Sequence, residues 1–449
     1  MPIRSSVFAM AACLSGALLV GCANGGSSTT HAAGAVPVTP QGTVASVQGS
    51  TGRSVHSGVR RTLSVPTCSG TGVGAFLGGA GGNGGDGDNP NVAAGQFSVV
   101  GGGSGNQACD SWSSIAGGYN NAASGSGEDG FIGAGEYNVV TGSDNDSVVV
   151  GGSGNQVSES DSAIVGGSSN AVSTDNGFLG GGNNNIVSGE YGAIAGGLHN
   201  TVSGEGAYIA AGGYNTASGE GALVDGGFNS TANGNFATIP GGYANSAAGT
   251  YSFAAGARAS AAQTGTFVWS DGSDGDTMLT SARAYQFLAR ASGGVTFWTN
   301  AASTVGATLA PGSGTWASAS DRNLKTDVAQ LDDAAVLAKV AALPIERWSY
   351  KSERGVRHVG PMAQDFYAAF GVGEDDKHIT SIDEDGVALA AIKALHAQNA
   401  DAQAAIKLLH AENAQLRARL AAATAAQAAQ NASLHAEVAS IRAEIRADR

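Results

Sequence analysis

The sequence predicts a mainly β chain: a parallel β-roll or solenoid of about 15-residue repeats, then a small mixed α/β module and a C-terminal α-helical coiled coil. Three observations predict it. Glycines and asparagines recur at a fixed interval through the middle of the chain, charge returns abruptly at Ser320, and neither Pro nor Gly follows Gly386. With 71 glycines, 13 % charged residues and 6 % aromatics in 449 residues, a single large apolar core is not expected. A formal charge of −14 argues against nucleic acid as a partner, because phosphate demands clustered Lys and Arg.

Residues 1–21 carry a short basic n-region with Arg4 and an apolar run from Val7 to Val20, which is the pattern of a secretory signal. The run ends in Leu19-Val20-Gly21-Cys22, which resembles the bacterial lipobox. That resemblance implies acylation of Cys22 and, with Ala23 rather than Asp behind it, an outer-membrane address exposed at the cell surface. Each buried CH₂ of an acyl chain contributes roughly 0.8 kcal/mol, so several chains anchor stably. No later stretch has the ~18 consecutive apolar residues of a spanning helix. Residues 22–90 are rich in Ser, Thr, Gly and Ala and read as a flexible tether. Within them Gly81-Gly82-Asn83-Gly84-Gly85-Asp86 fits a calcium-binding repeat once; without stacked copies to complete an oxygen shell it reads as a glycine loop, and no metal site is expected. After Cys13 and Cys22, Cys68 and Cys109 are the remaining thiols, candidates for one disulfide in an exported chain.

The repeats occupy residues 91–260. Gly189, Gly204, Gly219, Gly234 and Gly249, and Asn155, Asn170, Asn185, Asn200 and Asn215, are each spaced by 15. Every unit holds two short runs alternating apolar with small or polar residues, separated by glycines suited to positive φ. Stacked coils pair each strand with its equivalent and allow an asparagine ladder. Each coil carries few large apolar groups, so the rolls are expected to need one another as a parallel homotrimer. These units resemble the head repeats of trimeric autotransporter adhesins, which implies a left-handed parallel β-roll and an adhesive role toward a host-surface or glycan receptor. The chain departs from that family in its N-terminal lipid signal and in lacking a C-terminal run of alternating barrel strands.

In residues 261–319 aromatics return in Thr266–Asp271, Tyr285–Arg290 and Gly294–Thr299, read as the strands of a neck with Trp269 and Trp298 packed in its core, the alternative being ligand binding by either tryptophan. At Ser320-Asp-Arg-Asn-Leu-Lys-Thr-Asp-Val a module with ordinary charge content begins, spanning 320–390. It resembles the intramolecular chaperone (peptidase S74) family of phage tail fibres and endosialidase tailspikes, as do Arg357-His-Val-Gly-Pro-Met-Ala-Gln-Asp-Phe and the segment from Ile379 to Leu389. The resemblance implies a self-cleaving dyad, for which Ser320 and Lys325 have the spacing, with cleavage next to the serine, at Ala319-Ser320 in preference to its other side. A Ser hydroxyl needs a base to become a nucleophile, and a Lys serves only where desolvation lowers its pKa. Asp321 is expected to shape the turn, and His358 to be structural rather than an accessory group.

Residues 391–449 fit a heptad with Ile392, Asn399, Ile406, Asn413 and Leu420 on one seam position and Leu395, Ala402, Leu409 and Leu416 on the other. Leu434, Val438, Ile441 and Ile445 continue in shifted phase. Together these readings describe a lipid-anchored, adhesin-like surface fibre whose C-terminal module directs trimerisation and cuts itself off, with no cofactor. The alternative is a phage-derived tail-fibre receptor-binding protein or a glycan-processing tailspike-like head. A glycosidase needs two carboxylates across a groove, whereas Glu190, Glu205, Glu220 and Asp225 recur along the repeats as a solvated stripe.

Overall fold

The computed structural model describes residues 67–79, 90–125, 127–142 and 146–447. The signal, Cys22, the tether up to residue 66 and the glycine motif at 81–86 lie outside the described residues.

One coil illustrates the roll. Ala193–Ile194 and Thr201–Val202 are its two strands, each only two residues long because glycine-rich corners interrupt them. Ala193 pairs with Tyr208 and Thr201 with Thr216, a shift of one 15-residue repeat in both ladders. The ladders run on as a 14-stranded and a 13-stranded parallel sheet, and single bridges such as Leu198↔Gly213 form a third line of pairing. The corners are turned at positive φ by Tyr191, Gly197 and His199. Gly197, at φ +106°, is the one that only glycine satisfies, since a Cβ there would lie 2.3 Å from the Gly212 carbonyl oxygen of the next coil.

The second strand residue of each pair points inward. Ile115, Ile132, Ile164, Leu179, Ile194 and Ile209 are fully buried, facing Val157, Val172, Val187 and Val202 from the other ladder. This set corrects the expectation that the apolar groups of the coils need sister chains to hide them. Stacking closes each coil above and below, so a thin core runs continuously from Ala93 to Val268 within one chain. Each Ile, Leu or Val so buried is worth roughly 1.5–3 kcal/mol.

The recurrent asparagines are buried and fully used. Asn185 Oδ1 accepts from the backbone N–H of Asn200 at 2.9 Å, while its Nδ2 donates to the carbonyls of Gly181 at 3.0 Å and Gly197 at 2.9 Å. The ladder therefore joins side chain to backbone across coils, satisfying groups that the corners leave without strand partners. Ser230 interrupts it, its Oγ still accepting from the N–H of Asn245 at 3.2 Å. Asn185→Ala strands the Gly181 carbonyl and the Asn200 N–H, and takes from the Gly197 carbonyl one of its two donors, the other being the N–H of Asn183, at about 1–3 kcal/mol for each group left unsatisfied. We expect a loss of roughly 3–5 kcal/mol in urea denaturation; a loss below ~1 kcal/mol contradicts this account of the ladder.

The roll extends beyond both boundaries read from the sequence. Phe76–Leu77 already pairs with Val99–Val100, inside the stretch assigned to the tether. At the other end Phe267–Asp271 and Phe287–Arg290, expected in the neck, continue the 14-stranded sheet. Phe253, Phe267 and Phe287 form one column, stacked at 4.7 and 4.8 Å, which is the strand spacing; their enrichment marks a column of the roll, not a new domain. Trp269 and Trp298 are 37 % and 52 % exposed rather than core residues: alternation turns Val268 inward and Trp269 out, and Trp298 lies on a strand with no buried residue. Val295–Trp298, Gly306–Leu309 and Trp316–Ser318 then form a separate antiparallel sheet. Asp271 joins it to the roll, accepting from the N–H of Ser292 at 2.6 Å and from the N–H and hydroxyl of Ser273, which hold its carboxyl well below the usual range.

Two coils lengthen to 17 residues, between Asn121, Asn138 and Asn155. Beside them Asp110 is half-buried, and desolvation pushes its carboxyl up to about 6 against the pull of a backbone hydrogen bond from Gly125. A raised folded pKa contributes stability below the unfolded value of 3.8, and this is lost as pH rises through about 6. Asp110→Asn is therefore expected to stabilise the roll near neutral pH by on the order of 1 kcal/mol, after discounting for solvent screening, and to be neutral below about pH 4. Urea midpoints at the two pH values check this; a gain confined to acid contradicts it.

The module that follows is built from a 3₁₀ turn at Arg322–Leu324, helix α1 at Asp333–Ala342, a hairpin of Glu346–Trp348 with His358–Gly360, helix α2 at Ala363–Phe370 and helix α3 at Ser381–Ala447. Asp332 caps α1 by accepting from the N–H groups of Ala334 and Ala335, and Gly371, at φ +61°, ends α2. Ala390, Ala391 and Ala394 are buried near the start of α3, where the helix packs on α1, and Lys393 pairs with Asp333 at 2.5 Å. Beyond them α3 runs unbroken, a 67-residue helix about 100 Å long. Its heptad residues, among them Ile406, Leu409, Leu416 and Leu420, are more than half exposed.

Candidate self-cleavage site

The candidate pair, Ser320 and Lys325, is placed by one short turn. Asp321, in extended conformation, caps the 3₁₀ turn by accepting from the N–H of Asn323 at 2.9 Å and from its Nδ2 at 3.0 Å. The N–H of Lys325 closes the turn on the Arg322 carbonyl at 3.2 Å. Five residues of chain are thereby folded back, and Lys325 Nζ donates to Ser320 Oγ at 2.7 Å. On the other side of the Ala319–Ser320 bond, the N–H of Ala319 donates to the carbonyl of Gly306 at 3.0 Å, fixing that residue on the antiparallel sheet. The peptide bond thus lies between a sheet edge and a capped turn.

Geometry and solvation diverge here. Ser320 and Lys325 are both exposed, so nothing in the single chain desolvates the ammonium. The arrangement brings a hydroxyl and an amine to hydrogen-bond distance at the surface of the single chain.

The other predicted residues fall elsewhere. His358 stacks on Trp348 at 4.7 Å and meets Tyr350 edge-on at 5.6 Å, with Nε2 3.5 Å from Glu353 Oε2 but without hydrogen-bond geometry. Its contacts are structural, within the hairpin. A cleft of about 770 Å³ opens between that hairpin and the start of α3, lined by Trp348, Tyr350, Met362, Lys377, Ile379 and Glu384; the dyad is not on it. Cys68 and Cys109 are joined in a disulfide, and the N–H of Cys68 donates to Gln107 Oε1 at 3.2 Å, so the segment preceding the roll is tied to its second rung. Glu190, Glu205, Glu220 and Asp225 are all exposed. Asp110 and Asp271 escaped the sequence reading, which had no means of seeing which acidic corner is half-covered or which carboxylate meets two serines. Among the described residues no group of three or more His, Cys, Asp or Glu is placed to hold a metal ion, and no helix is long and apolar enough to cross a membrane.

No curated protein matches the chain. The family resemblance read from Ser320 onward covers less than expected, since the matched stretch stops where α2 ends and leaves out Ile379 to Leu389. Residues 320–371, opening on Ser320 and closing on the glycine that terminates α2, match the Peptidase_S74 family, described as the chaperone of endosialidase.

Proposed function

We propose that this chain is a self-assembling fibre protein of the tail-fibre or tailspike kind, in which the module at 320–371 aligns three copies and then cuts itself away at Ala319–Ser320. The observation that carries this reading is the match at 320–371 placed directly behind a long β-solenoid, with Ser320 and Lys325 already in contact at its first turn. The exposed seam of α3 supports it, because Ile406, Leu409, Leu416 and Leu420 on an otherwise solvated helix need a partner, and sister helices in parallel supply one. Asn399 and Asn413 on that seam would fix register and strand number.

In assembly the sister chains supply the cover that Lys325 lacks. Its proton lost, the amine takes the proton of Ser320 Oγ as that oxygen attacks the Ala319 carbonyl carbon through a five-membered ring. The C–N bond breaks, the proton passes to the departing Ser320 nitrogen, and water hydrolyses the resulting ester to free the Ala319 carboxylate and restore the hydroxyl. For the head we propose the lipid-anchored form of this fibre: Cys22 acylated, the roll displayed on a bacterial outer membrane as an adhesin toward a host-surface or glycan receptor. The lipobox supports that placement; the endosialidase-type module supports the alternative of a phage-derived receptor-binding fibre.

Refolding tests the chaperone role. Chains diluted from denaturant are expected to recover the ordered roll when residues 320–449 are present and to aggregate or slip in register when the chain ends at Ala319. Equal recovery of the two sinks the assignment.

A further inference from the structure

The outer faces of the two sheets are unlike each other. In the 13-stranded sheet the outward positions carry hydroxyls through the middle coils, as in Thr201, Thr216 and Thr231, with Ser188, Ser203 and Ser218 beside them. In the 14-stranded sheet the outward positions flank the inward residue of each strand, at 193 and 195 in the coil described above. Between Phe76 and Ala255 the only acidic or basic side chain in those two columns, among the described residues, is Asp225.

This apolar face is levelled on some of its rungs. On two middle rungs the first column holds phenylalanine and the second glycine: Phe131 with Gly133, Phe178 with Gly180. The Phe131 ring lies across its glycine, since a Cβ on Gly133 would sit 3.6 Å from Phe131 Cε1. Where the first column holds Ala163, the second holds Val165, which stands 46 % exposed. Other rungs are not paired in size, as with Val148 and Val150 or Ala193 and Ala195, but the columns stay mainly apolar where the outward positions of the 13-stranded sheet present hydroxyls.

We infer that the outer face of the 14-stranded sheet is where copies of this chain meet along the head. The inference rests on the self-assembly proposed above and names the surface that accomplishes it. Fourteen rungs at ~4.8 Å span about 65 Å, and two columns about 10 Å wide give roughly 650 Å² per chain before side-chain relief, close to the ~800 Å² a partner buries in a standard stable interface. A face whose one charge in those columns is Asp225 holds copies together but does little to choose their register, because sliding by one coil largely replaces apolar with apolar. That is the deficiency a C-terminal aligning module corrects.

The test is a photo-crosslink in the full-length Ser320→Ala chain, with benzoylphenylalanine placed at Val165 or Ala195 on this face, or at Ser173 on the opposite one, alongside sedimentation of the same samples. Irradiation is expected to shift chains labelled at Val165 and Ala195 into dimer and trimer bands and to leave those labelled at Ser173 as single chains. An assembled particle that crosslinks only from Ser173 overturns the choice of face while the assembly reading stands. A monomer without crosslinked bands overturns both, and adducts from Val165 at masses other than multiples of this chain overturn the choice of occupant. The second label, at Ala195, guards against a local folding defect at Val165.

Discussion

Gly197→Val is expected to unstack the roll, where Gly206→Asn is expected to leave it unchanged. At position 197 the backbone sits at φ +106°, outside the small left-handed region that L-residues tolerate, and a Cβ would meet the next coil's Gly212 carbonyl oxygen at 2.3 Å and Asn200 Nδ2 at 2.4 Å. Backbone strain of about 1–3 kcal/mol adds to an overlap that only separation of two coils relieves. Separation breaks the strand pairs of both ladders there and the asparagine link, so we expect a loss exceeding ~5 kcal/mol and local melting around the substituted coil. Gly206 also has positive φ, at +61°, but nothing lies within 4 Å of its Cβ position, and equivalent corners are held by Tyr191 and Tyr251 at φ +55° and +57°. Urea denaturation with hydrogen exchange distinguishes the two sites; equal tolerance would falsify the close-approach explanation.

The second large effect lies at the dyad. Purified chain is expected to arrive as two pieces parted at Ala319–Ser320, and Ser320→Ala as one intact chain, because without the hydroxyl no acyl transfer begins. Lys325→Ala should slow cleavage by about 10²–10⁴-fold, the usual contribution of a positioned base. The two groups act as one unit, so the double variant should be no slower than Ser320→Ala alone. Intact-mass spectrometry over a time course reads all three. Cleavage persisting in Ser320→Ala removes the dyad from the mechanism, while Lys325→Ala cleaving at the wild-type rate assigns the base elsewhere.

The parts of this molecule that local spacing encodes were legible before any coordinates. A 15-residue interval in asparagine and glycine is itself the coil length, and Ser320 and Lys325 meet because a five-residue offset is what one capped 3₁₀ turn spans. Helix α3 was legible from composition for the same reason: helix propensity is local. What escaped depends on contacts between residues a full coil apart. Ile194 lies between Leu179 and Ile209, which hydropathy within one repeat does not reveal, so the burial achieved by a single chain was underestimated. The same blindness turned the Phe253–Phe267–Phe287 column into a supposed neck and placed Trp269 in a core. At the dyad the partners were readable but their exposure was not, and exposure separates a hydrogen-bonded pair from an active one.

Sedimentation of the uncleavable Ser320→Ala chain at micromolar concentration bears most directly on the proposal that this is a fibre assembled by its own C-terminus. The account predicts the mass of a trimer, giving way to a heterogeneous mixture of slipped or partly dissociated species when Ile406, Leu409 and Leu416 on the α3 seam are replaced by charged residues. A well-folded single chain before any such replacement would contradict it.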